Sequence, residues 1–309
     1  MISLILAAAL LTDPVATPVV LAADPAPLHG TLLTPEGAPR AVAVIVPGSG
    51  PTDRDGNSPL GVSAGSYRLL AEGLAEQGIA TVRFDKRGLG ESAAAMVAEE
   101  DLTFDTYIED VGAWAGEAAR LTGRPCVWLV GHSEGSQIAL GAVSRAHDQV
   151  CGLVLLAGTG RPAGVVLREQ LEAALPESLK APALETLVEL EAGRPVANPP
   201  AALQALFRPS VQPYLISWLN LDPAERIAGY DGPVMIGQGT TDIQVGLTDA
   251  NTLAAAQPSA RLIVWEGVNH LLKLAPADRA ANAATYSDPA LPLAPGVVDD
   301  IAAFILEPR

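Results

Sequence analysis

Six short apolar runs, mostly β-branched, recur along the chain and constrain its fold more than any other feature. They are Ala41 to Val46, Ile79 to Phe84, Cys126 to Val130, Cys151 to Leu156, Val234 to Ile236 and Arg261 to Trp265. The runs are near-continuous rather than alternating with polar residues, so each reads as a strand covered on both faces, the habit of a parallel sheet. Helical patterns occupy Tyr67 to Gln77, Phe104 to Leu121, Gly135 to Ser144 and Leu247 to Ala256. Asp101 or Thr103 is a suitable N-cap for the second of these, and Gly123 followed by Pro125 stops it. Strand and helix in alternation predict a doubly wound α/β sheet. Ahead of it, Pro18 to Ala23 and Leu28 to Leu33 flank Asp24-Pro25 and predict an antiparallel hairpin at the sheet edge.

Between Arg161 and Gly229 the rhythm breaks. No strand run occurs there, and helix-like pieces follow one another at Val165 to Leu175, Leu179 to Glu191, Pro200 to Leu206 and Val211 to Leu219. This segment is expected to be an inserted helical cap over 161–229, dividing a core made of 17–160 and 230–309. Residues 1–16 are set apart because Ile2 to Leu11 is an unbroken apolar run, too short to span a bilayer but of the length of an export signal's apolar core. No Lys or Arg precedes it, and an ordinary buried N-terminal segment is the alternative. Export to the periplasm or medium is the expectation; otherwise the chain is cytoplasmic.

Apolar residues make up 49% of the chain and charged residues 17%, which argues against disorder. A net charge of −16 leaves no basic footprint for nucleic acid, and it disfavours an anionic membrane surface. Cys126 and Cys151 are the only cysteines, each opening a strand run. They could reach disulfide distance if those strands were neighbours. Two buried thiols are the expectation, because a link between adjacent parallel strands tends to be strained. No cysteine–histidine spacing suits a metal.

Gly131-His132-Ser133-Glu134-Gly135 fits G-x-S-x-G and lies between a strand run and a helix, the context this motif requires. A serine held on such a tight turn stands above the sheet, with the next N–H and the helix N-terminus aimed at developing negative charge. A serine nucleophile needs a base. Of four histidines, His132 sits inside the turn, His29 in the hairpin, and His147 beside Arg145 and Asp148 on an expected surface. His270 follows the last strand run, at the carboxyl edge where sites gather in such sheets. The orienting acid should fall between the serine and the histidine, just past a strand. Asp242 does so, whereas Asp222 belongs to the expected cap, Asp231 precedes the strand and Asp249 is part of the next helix. The candidate catalytic set is therefore Ser133, Asp242 and His270. The glycine-rich loop Pro47-Gly48-Ser49-Gly50-Pro51 offers a second oxyanion donor at the N–H of Ser49, or of Gly50, beside that of Glu134. It lacks the Lys of a phosphate loop.

Three blocks in combination carry a family resemblance: Pro47 to Asn57, Arg83 to Ser92, and Gly131 to Gly135. In them the chain, from about residue 17 on, resembles the bacterial carboxylesterases of the α/β-hydrolase superfamily. The first block is similar to that family's oxyanion loop and its extension, with Pro47 where many relatives carry His. The resemblance implies hydrolysis of small esters through an acyl-enzyme, with no metal and no cofactor. Arg54, Asp55 and Asp85 are expected to brace loops. In the cap, Leu206, Phe207, Tyr214 and Trp218 are candidates for the substrate pocket, with ordinary cap packing as an equal alternative. A peptidase, thioesterase, lactonase or acyltransferase would use the same three residues, and a silent binding protein could keep the scaffold. A dehalogenase or epoxide hydrolase would need an acid at position 133. Acyl length and oligomeric state are not encoded in any motif.

Overall fold

The computed structural model describes residues 13–308, so the apolar run Ile2 to Leu11 lies outside the described residues. The chain runs β1 (Val15–Leu21), β2 (Leu28–Thr34), β3 (Ala41–Val46), α1 (Ser66–Glu76), β4 (Ile79–Phe84), α2 (Phe104–Thr122), β5 (Val127–His132), α3 (Glu134–Val143) and β6 (Val150–Leu156). Next come α4 (Ala163–Ala174), α5 (Glu177–Glu191), α6 (Gln204–Phe207), α7 (Gln212–Trp218) and α8 (Pro223–Ala228). It ends with β7 (Val234–Gly239), α9 (Leu247–Ala256), β8 (Arg261–Trp265), α10 (Arg279–Ala284) and α11 (Val297–Leu306).

One eight-stranded sheet has the order β1-β2-β4-β3-β5-β6-β7-β8. The β1–β2 and β2–β4 pairs are antiparallel and the rest of the sheet is parallel. Every residue of β3, β4, β5 and β7 is buried, including Thr81 and Arg83 of β4, His132 of β5 and Gln238 of β7 among their mainly apolar sequences. Side chains still divide by the two-residue period of a strand. Val42, Val44 and Val46 face the layer built by α2, α3 and α9, while Ala41, Ala43 and Ile45 face α1 and α11. Thr103 caps α2 through a reciprocal bond with Thr106, and Gly123 ends that helix in the left-handed region at φ 65°. The hairpin is present, with a strand that begins earlier than the Pro18 expected from sequence.

Five helices, α4 to α8, lie between β6 and β7; α4 to α7 close on a cluster of their own, in which Leu187, Leu190, Leu203, Phe207 and Leu219 are almost wholly buried, whereas Ile227 of α8 joins the main core. They fasten to the rest through α2, where the Ser217 hydroxyl accepts the N–H of Phe104 at 2.9 Å.

The cysteines correct the expectation of two thiols. Cys126 and Cys151 form a disulfide with their Cα atoms 5.2 Å apart. The sheet register explains how adjacent parallel strands accept it. Val127 pairs with Val150 but Trp128 pairs with Gly152, so Cys151 is an extra residue on a bulge, and Cys126 lies just before β5 begins. A bulged residue is free to turn toward its neighbour where a regularly paired one is not.

The link closes a loop across a sequence separation of 25 residues. Restricting the unfolded chain over that length is worth about 3 kcal/mol. The double variant Cys126→Ser/Cys151→Ser should lose about that much unfolding free energy in urea at neutral pH; an unchanged midpoint would show that the link contributes nothing.

Candidate active site

The site begins with a backbone turn. Ser133 sits between the end of β5 and the start of α3 at φ 55° and ψ −124°, in a region that non-glycine residues rarely enter. Two glycines make the turn sterically feasible. A Cβ on Gly131 would lie 2.4 Å from the carbonyl oxygen of Gly135, and one on Gly135 would lie 2.3 Å from that of Val46. The Ser133 N–H donates to the Leu156 carbonyl at 2.9 Å, which ties the turn to the end of β6. As the first residue of α3, Glu134 has an N–H with no carbonyl one turn earlier to receive it.

His270 and Asp242 are brought together by the loops after β8 and β7. His270 Nδ1 lies 2.7 Å from Asp242 Oδ2, with both side chains buried. The other carboxylate oxygen, Oδ1, accepts the N–H groups of Gln244 at 2.8 Å and Val245 at 3.0 Å. Gln238 Nε2 donates to Oδ2 at 3.2 Å. Burial pushes the Asp242 carboxyl up, but the imidazole of His270 and the two backbone donors outweigh it and hold it below the usual carboxylate range. A charged carboxylate only accepts, so His270 donates to it from Nδ1.

Ser133, His270 and Ser49 line one pocket of about 200 Å³, together with Leu60, Val62 and Tyr286. Among the described residues the Ser133 hydroxyl makes no hydrogen bond, and nothing accepts the Ser49 N–H. The pocket wall comes from the loop over 48–62 and from Gln244, Leu271 and Tyr286. Phe207, Tyr214 and Trp218 are not brought to it. Phe207 is sealed in the cluster between α4 and α7. Trp218 stacks on Phe104 and donates to Gln137 at 2.9 Å, and Tyr214 packs edge-on against Tyr107. Tyr214 and Trp218 thereby fasten the helical segment to α2 and α3. Gly50 is exposed and stands beside Ser49 without lining the pocket.

Several polar groups at the site escaped the sequence reading. Tyr67, His132, Lys86, Gln238 and Asn269 are all nearly fully buried. Lys86 Nζ donates to the Gly48 carbonyl at 2.7 Å. Burial pushes the Lys86 ammonium down and the Glu134 carboxyl up, each partly offset by the other's charge. Asn269 Oδ1 accepts the N–H groups of Leu271 and Lys273 and so shapes the loop that carries His270. Among the described residues no group of three or more His, Cys, Asp or Glu could hold a metal ion, and no helix is long and apolar enough to cross a membrane.

His132 makes acid sensitivity a measurable property of the site. Burial first, then the neighbouring His270, lower its pKa from 6.5 to about 3. The unfolded chain therefore binds this proton more readily than the folded one. The contribution of His132 to stability is complete above pH 6.5 and is lost as pH falls toward 3. The stability gap between the protein and His132→Gln should thus narrow by about 2 kcal/mol between pH 7 and pH 5. Urea unfolding of both at the two pH values checks it, and a constant gap would refute it.

The sequence of residues 58–284 matches the family model described as serine aminopeptidase, S33. No curated protein matches the chain. Among solved structures, ferulic-acid-bound Est1E from Butyrivibrio proteoclasticus superposes with a TM-score of 0.59 at 18% identity, over 87% of this chain and 96% of that one. A lipase-esterase related protein from Clostridium acetobutylicum gives 0.55 at 19% identity, over 90% and 99%. The bromoperoxidase from Bacillus anthracis gives 0.55 at 15% identity, over 94% and 100%. At such identities the likeness is one of fold. With the family match spanning most of the sequence, the chain belongs to the serine aminopeptidase S33 family and is an α/β-hydrolase.

Proposed function

We propose that the protein is a serine carboxylesterase that hydrolyses small, short-acyl esters through an acyl-enzyme. The observation that carries this reading is the 2.7 Å contact of His270 with Asp242 beside a pocket that His270 shares with Ser133. In the first step His270 Nε2 takes the Ser133 proton as the hydroxyl oxygen attacks the ester carbonyl carbon. The N–H groups of Ser49 and Glu134 receive the oxyanion, each worth about 3 kcal/mol in the transition state. His270 then protonates the departing alcohol. A water attacks the acyl-enzyme by the same route, and Ser133 regains its proton. Asp242 holds the imidazole tautomer and stabilises the imidazolium throughout.

Two features of the pocket support small esters over peptides. Its volume of about 200 Å³ is below the range of about 300–1,000 Å³ usual for drug-sized ligands. Its described lining holds no Asp or Glu. An aminopeptidase must accommodate its substrate's α-ammonium group, and a buried cation demands a charged partner. Peptidase, thioesterase and acyltransferase activities remain the alternatives that share the same three residues, and a catalytically silent binding protein is the alternative of another class. The helices over 161–229 are read as a cap. Export is also proposed, supported by the Cys126–Cys151 link, since disulfides persist in oxidising compartments.

The protein should turn over p-nitrophenyl acetate and butyrate, lose at least 10³-fold in kcat as Ser133→Ala, and discriminate sharply against palmitate. Amide, thioester and competing-alcohol arms of the same assay decide among the rival acyl transfers. Wild-type protein without ester turnover, or an unaffected Ser133→Ala variant, would sink the reading.

A further inference from the structure

Four hydrogen-bonding groups from four separate elements form a single file along one wall of the pocket. The Gly48 N–H, in the loop after β3, donates to Tyr67 Oη at 3.0 Å. Tyr67 Oη lies 2.8 Å from His132 Nδ1, and His132 Nε2 lies 2.7 Å from the carbonyl oxygen of His270. Tyr67 is 3% exposed, His132 5% and His270 4%, so water does not compete along the file.

The two ends fix the direction of every proton between them. A backbone N–H can only donate and a backbone carbonyl can only accept. Tyr67 Oη receives the first, so its own proton goes to His132 Nδ1. His132 then keeps its proton on Nε2 and gives that bond to His270. The opposite arrangement would leave the bare Nε2 lone pair facing a carbonyl oxygen. The imidazole is consequently neutral and held in one tautomer, which agrees with the strong lowering of its pKa by burial.

Building on the esterase reading, we propose that Tyr67 and His132 are positioning residues, a relay that sets the oxyanion loop and the general base relative to each other across Ser133. At one end, both peptides of Gly48 are held, the N–H of the first by Tyr67 and the carbonyl of the second by Lys86 at 2.7 Å, and that second peptide carries the N–H of Ser49. At the other end, the carbonyl of the residue bearing the base is anchored by a side chain adjacent in sequence to the nucleophile. His132 and His270 pack with ring centroids 4.8 Å apart and Tyr67 meets His132 edge-on at 5.4 Å, so the bonds act within a packed stack. Neither residue touches the reacting carbonyl or exchanges a proton with substrate.

Placement errors of about 1 Å cost on the order of 10²-fold in rate, so the relay is tested by kcat at fixed chemistry. Tyr67→Phe, His132→Leu and His132→Gln are assayed with p-nitrophenyl acetate, with rates normalised to the fraction of Ser133 that a fluorophosphonate labels at completion. Melting temperatures are recorded for each. Tyr67→Phe should lower kcat about tenfold and His132→Leu about 100-fold, with KM changed by less than about twofold. His132→Gln, whose amide N–H can reach the His270 carbonyl, should recover about tenfold of the loss in His132→Leu. A lowered melting temperature with undiminished kcat per labelled serine would overturn the relay, as would a glutamine variant no better than leucine. A wild-type protein that neither turns over the ester nor labels at Ser133 removes the esterase reading itself, an outcome distinct from failure of the variants alone.

Discussion

The site depends on a backbone that holds Ser133 at φ 55°. Such conformations typically cost about 1–3 kcal/mol and persist only where the surroundings over-determine them. Here three strands do so. β5 delivers the turn, β6 binds its N–H through Leu156, and the last carbonyl of β3 comes so near Gly135 that no side chain could replace its hydrogen. The strain is thus supported by the centre of the parallel sheet, where every residue of β3 and β5 is buried. Loosening any of the three strands would let the turn relax toward an ordinary helix start and draw the hydroxyl back toward the sheet.

A parallel sheet also accounts for why distant residues meet. The carboxyl ends of β3, β5, β7 and β8 open on one edge, so the loops that follow them carry Ser49, Ser133, Asp242 and His270 to a common place. Sheet topology brings these groups to within several ångströms; hydrogen bonds must supply the remaining precision. Asp242 receives them from Gln238, Gln244 and Val245 as well as His270, leaving its carboxylate little freedom to rotate. The line from Gly48 through Tyr67 and His132 to His270 runs behind the same edge and ties together loops that the strands merely deliver.

What was legible in the sequence follows from which physics leaves a local trace. Strands buried on both faces are largely apolar, so β3 and β4 were bounded correctly to the residue; β8 was as well, although it is a half-exposed edge strand. The motif at Ser133 and the chain order of Asp242 and His270 are likewise local or ordinal. Tyr67 was legible only as an apolar position on a helix, because its polar role lies in a hydroxyl whose partners come from residues 48 and 132. The disulfide was misjudged because a bulge is a property of register between two strands and neither strand betrays it alone. The helix Val297–Leu306 has no counterpart in the sequence analysis, although Phe304 packs on Trp128 of β5 and Asp300 accepts the indole N–H of Trp265 on β8. Of the two readings open for Phe207, Tyr214 and Trp218, pocket or ordinary packing, the structure has packing: Tyr214 and Trp218 hold the helices over 161–229 to α2 and α3, and Phe207 fills the cluster among those helices.

With those aromatics packed away from the pocket, much of its wall falls to the long loop after β3. Its chemistry-rich sequence Pro51 to Asn57 contributes no candidate acid or base; its polar side chains fold the loop itself. Asp53 Oδ1 accepts the N–H groups of Asp55 and Asn57, and Asn57 Oδ1 accepts that of Gly65. Arg54 pairs with Asp85 at 2.6 Å while Asp85 accepts the Arg54 N–H, and Arg83 pairs with Asp55. Asp85 is held below the usual carboxylate range by the guanidinium and two backbone donors despite its burial. A segment without helix or strand has no ladder to fix it, so side chains must do so, and the ones chosen are half-buried ion pairs anchored to the end of β4. Such a wall can be stiff while leaving Leu60 79% exposed at the pocket rim, where an apolar group of a substrate would meet it. The acidic and basic residues that look catalytic in this loop are better understood as the framework that lets a small pocket keep its shape.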